Sequence, residues 1–121
     1  MRWLMALTVV TALPPPAPTH PGFVDAAQLA AVCTADGPEA ANQRALCLGY
    51  VTGSLDQLLA RSSGRRPPTV CPPADLTPKA ALDAVLRYVR YATTAKGVGA
   101  ADFVRFSLER AYPCPTDRTR P

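Results

Sequence analysis

Four cysteines, Cys33, Cys47, Cys71 and Cys114, in a chain of 121 residues constrain this sequence more than any other feature. An even number in a small chain reads as a disulfide framework when export signals accompany it, because an oxidising compartment keeps such bonds closed. The intervals between them are 13, 23 and 42 residues. A structural zinc site wants closely spaced pairs, and a thioredoxin-like centre wants Cys-x-x-Cys, which lowers a thiol pKa at a helix N-terminus. Neither pattern is present, so the four read as two structural disulfides and no metal or cofactor is called for.

The N-terminus supplies the export signal. Met1-Arg2 is followed by an apolar run from Trp3 to Leu13, then by Pro14, Pro15, Pro16 and Pro18. A charged end, an apolar stretch too short for the roughly 20 residues that span a bilayer, and a proline stop make a signal peptide over residues 1–17. Cleavage after Ala17 places Pro18 next to the cut, and a cut near Ala12 is the alternative. Residues 18–22 form a proline-rich linker, 23–114 the domain and 115–121 a polar tail, so no membrane segment remains after processing.

Helical periodicity fills the domain, without strand-like alternation or an internal repeat. A first helix covers 24–33, with Val24, Ala27, Leu29, Ala30, Ala31 and Val32 as its apolar positions. Asp36-Gly37-Pro38 turns the chain, and Pro38 and Glu39 suit the start of a second helix. Cys47, Tyr50, Val51, Ser54, Leu55, Leu58 and Leu59 recur along it at three and four residues, as one stripe. Gly49 and Gly53 lie one turn apart. Each costs roughly 1 kcal/mol against alanine in a helix, which suggests a backbone or bulky ring packed closely there.

Residues 61–69 read as a loop. Thr77 then caps a third helix with Pro78 at its first position. Leu82, Val85, Leu86 and Val89 face its core, and Gly97 and Gly99 break it. A last helix over 100–112 buries Phe103, Val104, Ser107, Leu108 and Ala111 and stops at Pro113. The expected fold is all-α, a bundle of about four helices tied by two disulfides.

Among three possible connectivities, geometry prefers Cys71 with Cys114, because antiparallel third and fourth helices bring the start of one beside the end of the other. Cys33 with Cys47 remains. That bridge needs Cα atoms within roughly 7 Å, hence either a connection running to about Asn42 or helices overlapping by two turns. The two loops contribute roughly 3 and 4 kcal/mol on the chain-entropy model, comparable with the whole stability of so small a domain.

Several function classes are excluded by what is missing. The single histidine, His20, sits in the linker, so no Ser-His or Cys-His pair forms on the domain. Asp56, Asp75, Asp83, Asp102 and Glu109 fall at spacings that suit solvated faces or caps, and Tyr50, Tyr88, Tyr91 and Tyr112 suit core or groove positions. The net charge of +4 includes Arg2 of the signal and Arg118 and Arg120 of the tail, so nucleic acid is not indicated. The residual class is a non-enzymatic protein that binds another protein. A small periplasmic helical chaperone or stress protein is the alternative in that class, and it would expose apolar surface on acidification.

The segment Cys47-Leu48-Gly49-Tyr50-Val51-Thr52-Gly53-Ser54-Leu55-Asp56 resembles the signature of the Rap/Tai family of immunity proteins. Its other landmarks agree: Cys33 shortly before, Cys71-Pro72 followed by the Thr77-led helix, and Tyr112-Pro113-Cys114 at the end. The motif residues are thus Gly49, Tyr50, Gly53, Asp56, Tyr112 and Pro113. The resemblance implies a helical periplasmic immunity protein, dimeric in some members, that blocks a cell-wall amidase delivered by type VI secretion. One departure stands out: residues 92–99 lack the proline and histidine usual there in the family. Arg61, Arg65 and Arg66, in a long basic loop, are the candidate partner contact, since arginine is enriched among interface anchors.

Overall fold

Asp25 starts the first helix with a reciprocal cap. Its carboxylate accepts from the Gln28 amide at 2.7 Å, and the Gln28 side-chain oxygen accepts from the Asp25 amide at 2.9 Å. Two otherwise orphaned donors are satisfied at once. The computed structural model describes residues 11–15, 22–62 and 67–115, and five helices lie within them: α1 (Ala26–Cys33), α2 (Ala40–Ser62), α3 (Pro78–Leu86), α4 (Val89–Thr94) and α5 (Ala100–Ala111). No β-strand occurs among the described residues, only two isolated antiparallel bridges, Asp25 with Gly99 and Val70 with Pro113. Residues 1–10 and 16–17 of the expected signal peptide, 18–21 of the linker and the tail beyond Pro115 lie outside the described residues.

The long α2 is the spine, with α1, α3 and α5 packed on it. The core where they meet is rich in alanine: Ala26, Ala30, Ala81, Ala84, Ala92 and Ala100 are buried with Leu29, Val51, Val85, Val104 and Leu108. Small side chains let the helices approach closely but remove less apolar area from water per residue, so covalent ties carry more of the stability. On α1 the buried face is Ala26, Leu29, Ala30 and Cys33, whereas Ala27 and Ala31 are exposed. Alanine at those two positions supplies helix propensity, not core.

Both bridges join as the geometry suggested. Cys33 and Cys47 have Cα atoms 5.1 Å apart, and Cys71 and Cys114 4.9 Å. Of the two ways to close the first, overlap is realised. Helix α2 already runs at Ala40, so Cys47 lies two turns inside it, about 10 Å along the axis, beside the last residue of α1. Beside the second bridge the Cys71 amide donates to the Tyr112 carbonyl at 2.9 Å. A matching pair near the other end of the fold, Ala26 amide to Val98 carbonyl and Ala100 amide to Val24 carbonyl, both at 2.9 Å, ties the start of α1 to the start of α5.

Besides shifts of about two residues at the starts of α1 and α2, which begin at Ala26 and Ala40, two element boundaries differ from the sequence expectation. The single third helix is split: Thr77 caps α3 by accepting from the Ala80 amide at 3.2 Å, but the helix ends at Leu86 and resumes at Val89. No glycine or proline stands there. The Tyr88 amide bonds three residues back to Val85 at 3.0 Å, and Tyr88 sits at φ −107°, ψ 8°. The break serves packing, because α3 lies on α2 and α5 while α4 lies on α1 and buries Ala92 there. The other difference is at the end of α2, which extends through Arg61 and Ser62 into the segment expected to be loop. No helix of the described residues is long and apolar enough to cross a membrane.

Candidate functional site

The family motif begins on the face of α2 that looks across to α5. Close packing over Gly49 and Gly53 was the expectation, and it does not hold: a Cβ added to either would meet nothing within 4 Å. The two glycines instead form the floor of an open groove of about 440 Å³, flanked by Tyr50, Ser54 and Leu58 of α2 and by Ala101, Asp102 and Arg105 of α5. They leave a gap where larger residues would have covered the helix backbone.

Tyr50 is one of the polar residues of this groove. Desolvation by burial raises its phenol pKa; the Ala101 backbone hydrogen bond acts in the opposite direction, and the Asp102 charge adds to the rise. The hydroxyl therefore stays protonated at neutral pH. Along the α5 wall, Arg105 donates to Asp102 at 3.0 Å. Both side chains are well exposed, so this pair does little for stability and leaves the wall nearly neutral.

The rest of the motif does not converge on that groove. Asp56 lies with Thr52 and Leu55 in a second groove of about 450 Å³, whose far side is the Pro72, Pro73 and Leu76 segment before α3. Tyr112 and Pro113 are at the seam beside the Cys71–Cys114 disulfide, where the Tyr112 carbonyl receives the Cys71 amide and Pro113 bridges Val70. Their role is to hold the chain after α5 against the chain before α3. Leu59, placed in the buried stripe by its spacing, is partly exposed near the end of α2.

Of the expected contact residues, Arg61 is the penultimate residue of α2, and Arg65 and Arg66 lie outside the described residues. The four tyrosines do not line one pocket. Tyr50 is in the glycine groove, Tyr112 in the seam, and Tyr88 and Tyr91 meet Phe106 of α5. Phe106 and Arg110, whose guanidinium carbon stands 4.9 Å from the Phe106 ring centroid, were not singled out from the sequence. Their spacing of four residues on α5 was the available signal, but their partners come from a separate helix.

Among the described residues, no group of three or more His, Cys, Asp or Glu is placed to hold a metal ion. Both disulfides occupy all four cysteines. What the geometry offers is a set of shallow surfaces on a covalently braced frame.

Comparison with curated proteins and with solved structures gives no match. A family model described as Rap1a immunity proteins matches residues 25–114, from the Asp25 cap to the last cysteine, a stretch that takes in all five helices and both disulfides. This chain belongs to the family of Rap1a immunity proteins.

Proposed function

We propose that this immunity protein acts in the periplasm, where it binds and inhibits a peptidoglycan amidase effector of type VI secretion. The observation that carries the proposal is the family match over residues 25–114. Two disulfides favour the same compartment, since they persist only under oxidising conditions, and the apolar N-terminal run would deliver the chain there. An amidase that cuts the cell wall has to be met on that side of the inner membrane.

The mechanism is occlusion. A frame braced at two places loses little conformational freedom on docking, so more of the contact energy appears as affinity. No group on the inhibitor has to perform chemistry. Arg61, Arg65 and Arg66 are a candidate contact, since a guanidinium can engage carboxylates on the enzyme in bidentate fashion. Charge reversal at Arg65 and Arg66 is expected to weaken binding and leave the melting temperature unchanged, as calorimetric titration and a thermal scan would report.

The direct test is titration of the purified mature protein into its cognate amidase effector, with release of peptide from isolated peptidoglycan as the readout. Stoichiometric loss of digestion is expected. Undiminished digestion at excess inhibitor would reject the proposal.

A further inference from the structure

An aromatic shelf on α4 and α5 is not used by the groove, by the disulfides or by the basic stretch at the end of α2. Phe106 is its centre. The Tyr88 ring meets it edge-on at 5.8 Å, the Tyr91 ring lies tilted by 56° at 6.2 Å, and the Arg110 guanidinium covers it at 4.9 Å. Tyr91 is 64% exposed, although a ring of that size buries readily when the fold offers it a place.

Arg110 gives the shelf its selectivity. It is exposed and makes no ion pair with any described residue, and the same holds for Arg87 and Arg90, which precede the two tyrosines in sequence. A guanidinium stacked on a ring is held in one orientation and keeps its in-plane N–H donors free, the arrangement that takes a carboxylate bidentately. The surrounding charge favours the same ligand. Residues 87–111 carry Arg87, Arg90, Lys96, Arg105 and Arg110 against Asp102 and Glu109, and Asp102 is already paired with Arg105. The same basic stretch carries the exposed Tyr91 ring.

We infer that this shelf docks an acidic protein segment, a carboxylate seated on Arg110 beside an aliphatic or aromatic side chain laid against Tyr91. The inference rests on the proposed immunity function for the identity of the partner, the effector. Tyrosine and arginine are the residues most enriched where interface energy concentrates. A glycan is the less suitable occupant, because rings set at 75° and 56° to Phe106 present no flat platform for a sugar.

Two titrations test it, so that the surface and the function can fail separately. In the first, isotope-labelled protein is followed by NMR while blocked Glu-Leu-Leu-Glu or Lys-Leu-Leu-Lys peptide is added. Shifts centred on Tyr88, Tyr91, Phe106 and Arg110 are expected with the acidic peptide alone, and their loss in Arg110→Ala. An equal response to both peptides, or shifts centred elsewhere, would overturn the shelf.

In the second, wild type, Arg110→Ala and Tyr91→Ala are titrated into the cognate amidase effector, each checked for an unchanged melting temperature. Each variant is expected to bind about tenfold more weakly. Equal binding by all three would overturn the shelf and leave the immunity function standing. No binding by wild type would overturn the function, and the peptide titration would still decide the shelf. Cosedimentation with purified peptidoglycan that Arg110→Ala abolishes would assign the shelf to the polymer and contradict a protein partner.

Discussion

The inner and outer disulfides hold one domain by different physics. Cys33 and Cys47 join two packed helices, and Cys47 is 1% exposed, a member of the hydrophobic core. Cys71 and Cys114 are half-buried and lie outside the helices, clamping the chain before α3 to the chain after α5. The separations are 14 and 43 residues, so the chain-entropy contributions are roughly 3 and 4 kcal/mol. The inner bridge adds packing that the outer one lacks. Both sulfur pairs restrain the unfolded chain, and one of them also fills a core.

The largest expected effects come from removing each bridge. Cys71→Ala with Cys114→Ala should lower the unfolding free energy in urea by about 4 kcal/mol. A loss under about 1 kcal/mol would mean that the Cys71 to Tyr112 hydrogen bond and its neighbouring bridge hold the seam unaided. Cys33→Ala with Cys47→Ala should cost about 3 kcal/mol in loop entropy and about 1 more in packing. In timed alkylation under mild reductant, the outer pair should react first, since its residues are the more exposed.

Leu108→Ala probes whether packing also supports the outer end. That side chain is fully buried, one turn before Tyr112, and about 3 kcal/mol is expected from lost transfer energy plus the cavity. Thr77→Ala removes the α3 cap just beyond the outer clamp and should cost about 1 kcal/mol. The smallest effect has the opposite sign. Gly49→Ala and Gly53→Ala, on the open side of α2 beyond Cys47, should each stabilise by up to about 1 kcal/mol, because the added methyl meets nothing. Destabilisation in thermal or urea unfolding would show that the backbone there is covered after all.

The start of α3, the end of α5 and the covalent ties were the most legible parts of this chain. Thr77 and Pro78 announced α3, Pro113 closed α5, and Cys71 with Cys114 followed from placing two helices antiparallel. Each of these signals is local, or depends on a single geometric step. The break at Tyr88 was hidden because it has no breaker residue; α3 and α4 separate to reach different neighbours. The glycine pair was misleading for a related reason. A helical glycine reports that bulk is absent, and whether a neighbour or open space lies beyond is decided by α5, which shares no pattern with α2. The shelf was invisible in the same way, since Tyr88 and Tyr91 meet Phe106 only across two helices.

The central claim is that the disulfide frame presents an inhibitory surface. Its most direct test compares native protein with protein reduced and alkylated at all four cysteines, each titrated into the proposed amidase effector acting on peptidoglycan. The account predicts stoichiometric inhibition by the native protein and its loss after alkylation, alongside collapse of the thermal transition. Equal inhibition by the alkylated chain would contradict it.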